Sequence, residues 1–120
     1  MARILVVDDE PDLRFLLRFF FEGAGHSIVE AQNGAAALAC VRESAPDLIV
    51  TDMMMPVMDG PELIRRLRSD TVTAGIPILA VTSSPALAAS SDAVVKKPYH
   101  RDDVVRAAEG LLKMRETEEA

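Results

Sequence analysis

The chain has 120 residues, 49% of them hydrophobic, with a formal net charge of −6, which suits one domain with a real core and leaves no room for a second. That acidic balance argues against the chain itself gripping nucleic acid or an anionic membrane, since both need a basic face. A single cysteine, Cys40, excludes an internal disulfide, and with no charged leader and no long apolar span a soluble, cytoplasmic protein is expected.

Taken in chain order, the first predicted strand is Ile4-Leu5-Val6-Val7, running into Asp8 and Asp9. Glu10, Pro11 and Asp12 suit a first helical turn, and Leu13, Leu16, Leu17, Phe20 and Ala24 then recur at helical spacing until Gly23 and Gly25 end the helix. A short second strand over 27–30 precedes a second helix, opened by Asn33-Gly34 and stopped after about Ser44 by Ala45-Pro46. The third strand covers 48–52 and ends on Asp52. A methionine-rich loop over 53–60 leads to a third helix over 61–68, with Leu63, Ile64 and Leu67 facing inward. Pro77 introduces the fourth strand, Ile78-Leu79-Ala80-Val81 into Thr82, and a fifth run, Ala93-Val94-Val95, ends in Lys96 and Lys97.

Strands alternating with helices predict a parallel sheet covered on both faces, and the near-continuous apolar strands say the same independently. The expected fold is doubly wound α/β, a five-stranded three-layer sandwich with strand order 2-1-3-4-5. Ligands in such sheets bind beyond the carboxyl ends of the strands, where strand order reverses. That point lies between the first and third strands, so Asp8, Asp9 and Asp52 should converge there.

Three neighbouring carboxylates repel one another and demand a cation among them. Three Asp, one Mg²⁺ and one Lys sum to zero charge, which leaves the site balanced and ready for an anion. Oxygen-only ligands suit Mg²⁺ or Mn²⁺, which leave positions open to phosphate oxygens, and make zinc a poor fit. A carboxylate there could attack a phosphoryl group in line while metal and lysine neutralise the equatorial oxygens. Asp52 is the candidate nucleophile because its strand is central and the Met53-Met54-Met55-Pro56 loop can turn a backbone carbonyl toward the metal. Thr82, at the end of the adjacent strand, can supply a hydroxyl to the transferred group.

The residues Val7-Asp8-Asp9-Glu10, Asp52-Met53-Met54-Met55-Pro56-Val57-Met58-Asp59-Gly60, Thr82-Ser83 and Lys97-Pro98-Tyr99 resemble the receiver domain of two-component response regulators, of which the chemotaxis regulators are the simplest form. The likeness runs over about 2–114, implying a flavodoxin-like receiver domain over 1–115, and the residues beyond it, 116–120, charged and with no apolar anchor but a terminal Ala, read as a frayed tail. It implies that Asp52 is the phospho-acceptor, Asp9 a direct metal ligand, and Asp8 a carboxylate acting through water. The Met54 backbone carbonyl would complete the metal contacts, Thr82 would shift to the phosphoryl group, and Lys97 would precede a usually cis proline, Pro98. The resemblance further implies phosphoryl transfer from a histidine kinase or phosphotransfer protein, by a self-phosphorylating acceptor rather than a turnover enzyme. Neither monomer nor dimer is selected by the pattern.

Two departures from the family pattern bear on output. Thr82 and Lys97 stand 15 positions apart, about seven fewer than is usual, so the fourth helix is expected to be shortened or missing. The ten residues 83–92 would span only about 15 Å as a helix but about 33 Å extended. One or two helical turns at most are therefore predicted, around residues 86–90, ordering further on phosphorylation. Val94, meanwhile, stands where receivers generally carry an aromatic ring that moves inward. These changes keep a second reading open, a receiver-fold interaction module with weakened or lost phosphorylation switching. An aspartyl phosphatase is less well matched, because Asp8 is followed by Asp9 and then Glu10, and a nucleotide-binding fold lacks its glycine-rich loop. On the first helix, Phe15 and Phe19 fall off the buried stripe, four residues apart, and suit a docking surface for a partner helix.

Overall fold

Successive residues of a strand point to opposite faces of its sheet, and here each face collects its own apolar layer. The computed structural model describes residues 1–119. In chain order the elements are β1 (Arg3–Val7), α1 (Pro11–Gly23), β2 (Ser27–Ala31), α2 (Gly34–Glu43), β3 (Leu48–Thr51), α3 (Gly60–Arg68), β4 (Ile78–Thr82), a short 3-10 helix (Pro85–Ala88), β5 (Ala93–Lys96) and α4 (Arg101–Glu119). All pairings are parallel and the strand order is β2-β1-β3-β4-β5, as the alternation of elements predicts.

Leu5, Val7, Ile49, Ile78 and Ala80 turn to one side and meet Ala37, Leu38 and Val41 of α2 and Leu63, Ile64 and Leu67 of α3. Ile4, Val6, Leu48, Val50, Leu79 and Val81 turn to the other, against Leu17 and Phe21 of α1 and Val104, Val105, Ala108 and Leu111 of α4. The central strands are therefore buried on both faces, which is why they read as unbroken apolar runs. Two helices start on side-chain caps: Asn33 Oδ1 accepts from Ala36 N–H at 2.9 Å and Asp59 Oδ1 from Glu62 N–H at 3.0 Å, each satisfying a donor that the first turn leaves free.

The crossover from β4 to β5 contains only the 3-10 helix Pro85–Ala88, placed slightly earlier than the predicted turn because Pro85 starts it. A 3-10 helix rises about 2 Å per residue against about 1.5 Å for an α-helix, so the tighter form covers more distance with few residues. Its far end is tied down by Asp92, whose Oδ2 accepts from Ile78 N–H at 2.7 Å and from Arg68 Nη2 at 2.6 Å. The cover it gives β5 is incomplete. Ala93 and Val95 pack inward against the α1 and α4 layer, whereas Val94 is 42% exposed.

The tail expected from residue 116 is instead a continuation of α4 as far as Glu119, and Ala120 lies outside the described residues. Glutamate is a good helix former, and Thr117 Oγ1 donates to the Lys113 carbonyl at 3.1 Å, so this stretch has reason to stay helical despite lacking an apolar anchor.

Candidate functional site

Parallel register does most of the work of assembly. Val7 pairs with Thr51 across β1 and β3, which puts the residues after them, Asp8 and Asp52, side by side at the carboxyl edge; Asp52 N–H donates to the Val7 carbonyl at 3.0 Å. One carboxylate oxygen from each of Asp8, Asp9 and Asp52 lies within 4.8 Å of the others. Lys97 arrives from the end of β5, its N–H bonded to the Thr82 carbonyl at 3.0 Å, and the Lys97–Pro98 peptide is cis. Its Nζ donates to both Asp52 Oδ2, at 3.0 Å, and Asp8 Oδ2, at 3.3 Å. Four of the predicted site residues, from three strand ends, thus form one cluster.

The two buried ends of that cluster feel opposite balances. Burial raises the Asp8 carboxyl above its ordinary 3.8 and the Asp52 charge raises it further, against the Glu10 N–H donated to Oδ1 at 2.9 Å and the Lys97 ammonium. Burial works against the Lys97 ammonium too, but its hydrogen bond to Asp52 and the charges of both acids outweigh it, so Lys97 rises above its ordinary 10.5. One shared cation satisfies the lysine and leaves the acids short of positive charge. Oxygen ligands with an unmet need for a cation fit a hard divalent ion such as Mg²⁺.

Thr82 is fully buried at the end of β4, and its Oγ1 accepts from Ser84 N–H at 3.0 Å, which leaves the hydroxyl proton to donate elsewhere. Met54 is exposed in the loop after β3, and its sulfur accepts from Ser84 Oγ at 3.5 Å. Phe15 and Phe19 lie apart from the acidic cluster on α1, 68% and 63% exposed.

Two positioning features escape a reading of spacing alone. A Cβ on Gly60 would come within 2.5 Å of the Asp52 carbonyl oxygen, so only glycine lets α3 start directly behind the candidate nucleophile; the last residue of the loop expected over 53–60 is a helix start pressed against β3. Arg14 Nη1 donates to the Asp8 carbonyl at 2.6 Å while its Nε reaches Glu30 Oε1 at 3.2 Å, bracing the acidic loop from α1. Arginine on a helix gives no such signal until the strand it touches is known.

The chain matches the response regulator receiver domain family over residues 4–109. It is 35% identical to the DNA-binding response regulator MtrA of Mycolicibacterium smegmatis over 98% of its own length and 54% of that protein's, so it spans about half of that relative. It is 39% identical to protein PilH of Pseudomonas aeruginosa over 69% of each. Among solved structures it superposes on the response regulator TrrA of Thermotoga maritima, in complex with Mg²⁺ and BeF, with a TM-score of 0.83 and 31% identity, covering 92% of this chain and 99% of that one. With fold, strand-end acids and shared lysine all in place, the chain belongs to the receiver domain family of two-component response regulators.

Proposed function

We propose that this chain accepts a phosphoryl group from the phosphohistidine of a histidine kinase or phosphotransfer protein onto Asp52, in a reaction that depends on Mg²⁺ or Mn²⁺, and works as a phosphorylation switch in the cytoplasm. The observation that carries the reading is Lys97 Nζ held between Asp52 and Asp8 inside a cluster of three carboxylates. Asp8, Asp9, Asp52 and the Met54 carbonyl would hold the ion. When bound, it would neutralise charge on the phosphoryl oxygens and favour an in-line geometry.

The chain's own groups supply the rest. An Asp52 carboxylate oxygen forms the new O–P bond as the donor's P–N bond breaks, and the electron pair of that bond stays on the imidazole nitrogen. Lys97, already on Asp52, follows the charge onto the phosphoryl oxygens. Thr82 donates its free hydroxyl proton to one of them. The product is an acyl phosphate on the protein itself, so the chain is an acceptor rather than a turnover enzyme. The intact quartet speaks against a receiver fold retained only as an interaction module. None of the described helices is long and apolar enough to cross a membrane.

Acetyl phosphate with Mg²⁺, followed by intact mass, tests this directly. One added phosphoryl group is expected on the parent and none on Asp52→Asn or with excess EDTA; equal labelling of Asp52→Asn would sink the assignment. The donor's docking site is proposed to be the exposed Phe15 and Phe19 pair. Replacing both with Glu should reduce transfer from a phosphorylated kinase at least tenfold, as loss of two aromatic anchors does, while leaving acetyl phosphate labelling intact. Parallel loss of both reactions would refute docking.

A further inference from the structure

The loop between β3 and α3 is pinned near its two ends and free between them. Gly60 N–H donates to the Met53 carbonyl at 2.8 Å, and the Met58 carbonyl accepts from Gly34 N–H at 3.0 Å. Among the described residues, neither Met54 nor Met55 engages a main-chain group in a hydrogen bond, so the Met54 carbonyl stands where those ends put it. Met58 N–H donates to the Pro56 carbonyl at 2.7 Å across Val57, whose φ is 69°. That is a γ-turn of positive φ, the rare and strained form. Val57 is 83% exposed, so packing of its side chain returns nothing for the strain. Such a turn persists only where its surroundings hold it.

What holds this one is the start of α2. Asn33 caps that helix through Ala36 N–H, whereas Gly34 N–H, another donor that the first turn leaves free, goes to Met58. Met58 also fills the space that a side chain at residue 34 would need: a Cβ on Gly34 would come within 2.7 Å of Met58 Cγ and 2.8 Å of its carbonyl oxygen. The methionine side chain could swing aside, but the carbonyl oxygen moves only with the loop. We propose that Gly34 is a positioning residue for the metal ion: it clamps Met58, keeps the strained turn at Val57 in place, and so fixes where the Met54 carbonyl stands. This rests on the reading that the acidic cluster and the Met54 carbonyl hold Mg²⁺, an ion that demands near-ideal octahedral placement of its ligands. Control over the ion thereby extends to α2, a helix with none of the expected site residues.

Coupling between two sites is reciprocal, so the parent chain can report it. On saturation with Mg²⁺, hydrogen exchange at Gly34 N–H should slow by a larger factor than at Ala36 N–H, whose partner Asn33 lies off the loop. Equal slowing would be the general stabilisation that any ligand gives, and overturns the clamp. Gly34→Ala should weaken Mg²⁺ binding in calorimetric titration about tenfold, the lower end of what losing a supporting contact does to metal affinity, and should speed metal-free amide exchange over 54–58. Asn33→Ala, which removes the cap and spares the clamp, should lower Tm and leave Mg²⁺ affinity unchanged. Undiminished affinity in Gly34→Ala, or an equal loss in Asn33→Ala, would assign Gly34 to helix stability alone and overturns the proposal. Should Gly34→Ala fail to fold, the exchange comparison in the parent decides by itself. If the parent binds no Mg²⁺, or Asp9→Asn binds it as tightly, the metal reading falls and takes the clamp with it. If the parent binds the ion through Asp9 and Gly34→Ala binds it equally well, only the role of Gly34 falls.

Discussion

At Asp8 the demands of folding and of binding pull apart. A carboxyl raised by the fold holds its proton more tightly there than in the unfolded chain, so from its ordinary 3.8 up to its higher folded value, stability falls as pH rises. Above that folded value the full cost is present. Asp8→Asn should therefore raise the metal-free unfolding midpoint by a few degrees, about 1 kcal/mol, at pH 7, while weakening Mg²⁺ binding. The gap between variant and parent should close as pH drops through the Asp8 titration; a gap independent of pH would count against burial as its source. Lys97 leaves that comparison clean, since its raised value gives stability that is complete below 10.5 and is lost only as pH rises through the folded value. Val57 is a second local conflict. Its φ of 69° is a left-handed conformation that strains a β-branched residue. Val57→Asn, which tolerates that region, should gain about 1 kcal/mol in urea unfolding. Nothing about Pro56-Val57 in the sequence announces that φ, because it is imposed by the chain having to turn from β3 into α3.

Among the elements, the shortened crossover is the one most exposed to test. Arg68 closes it from the end of α3, donating through Nη1 to the carbonyls of Ala74 and Ile76, at 2.7 and 2.8 Å, and through Nη2 to Asp92. Arg68→Ala strands those acceptors and should cost about 1–3 kcal/mol, with faster amide exchange over 83–92. In the parent, Mg²⁺ with beryllofluoride should slow exchange over the same residues; rates unaffected by the mimic would argue that the crossover is not where phosphorylation is felt. The brevity of this segment is legible in sequence, since the distance from Thr82 to Lys97 is simply counted, and a tight turn follows from too few residues. Its anchoring is not legible, because Arg68 and Asp92 meet only after α3 and β4 have packed. The same division runs through the site. Asp8, Asp52, Thr82 and Lys97 stand out because each closes an apolar run, whereas Gly60 matters through a steric limit set by the Asp52 backbone, and Arg14 through a carbonyl that composition does not mark. The last helix shows the opposite error, since a charged, apolar-poor end reads as frayed although its residues are good helix formers.

For the molecule as a whole, two apolar layers hold a sheet whose carboxyl edge gathers like charge, in a chain already at −6. A ligand that binds only the folded form stabilises it by mass action, about 2.7 kcal/mol at a hundred times its dissociation constant. Mg²⁺ should therefore raise Tm steadily with the logarithm of its concentration, EDTA should reverse the rise, and Asp9→Asn should flatten it; an equal rise in that variant would place the ion elsewhere. The sheet is not held equally along its width. β1 and β3 are sealed on both sides, whereas β5 is an outer strand whose alternate residues, Val94 and Lys96, face solvent. Cohesion is thus graded, and under mild denaturant the fabric should unravel from that selvage inward, with ladder amides of β5 trading hydrogen for deuterium well before those of β1.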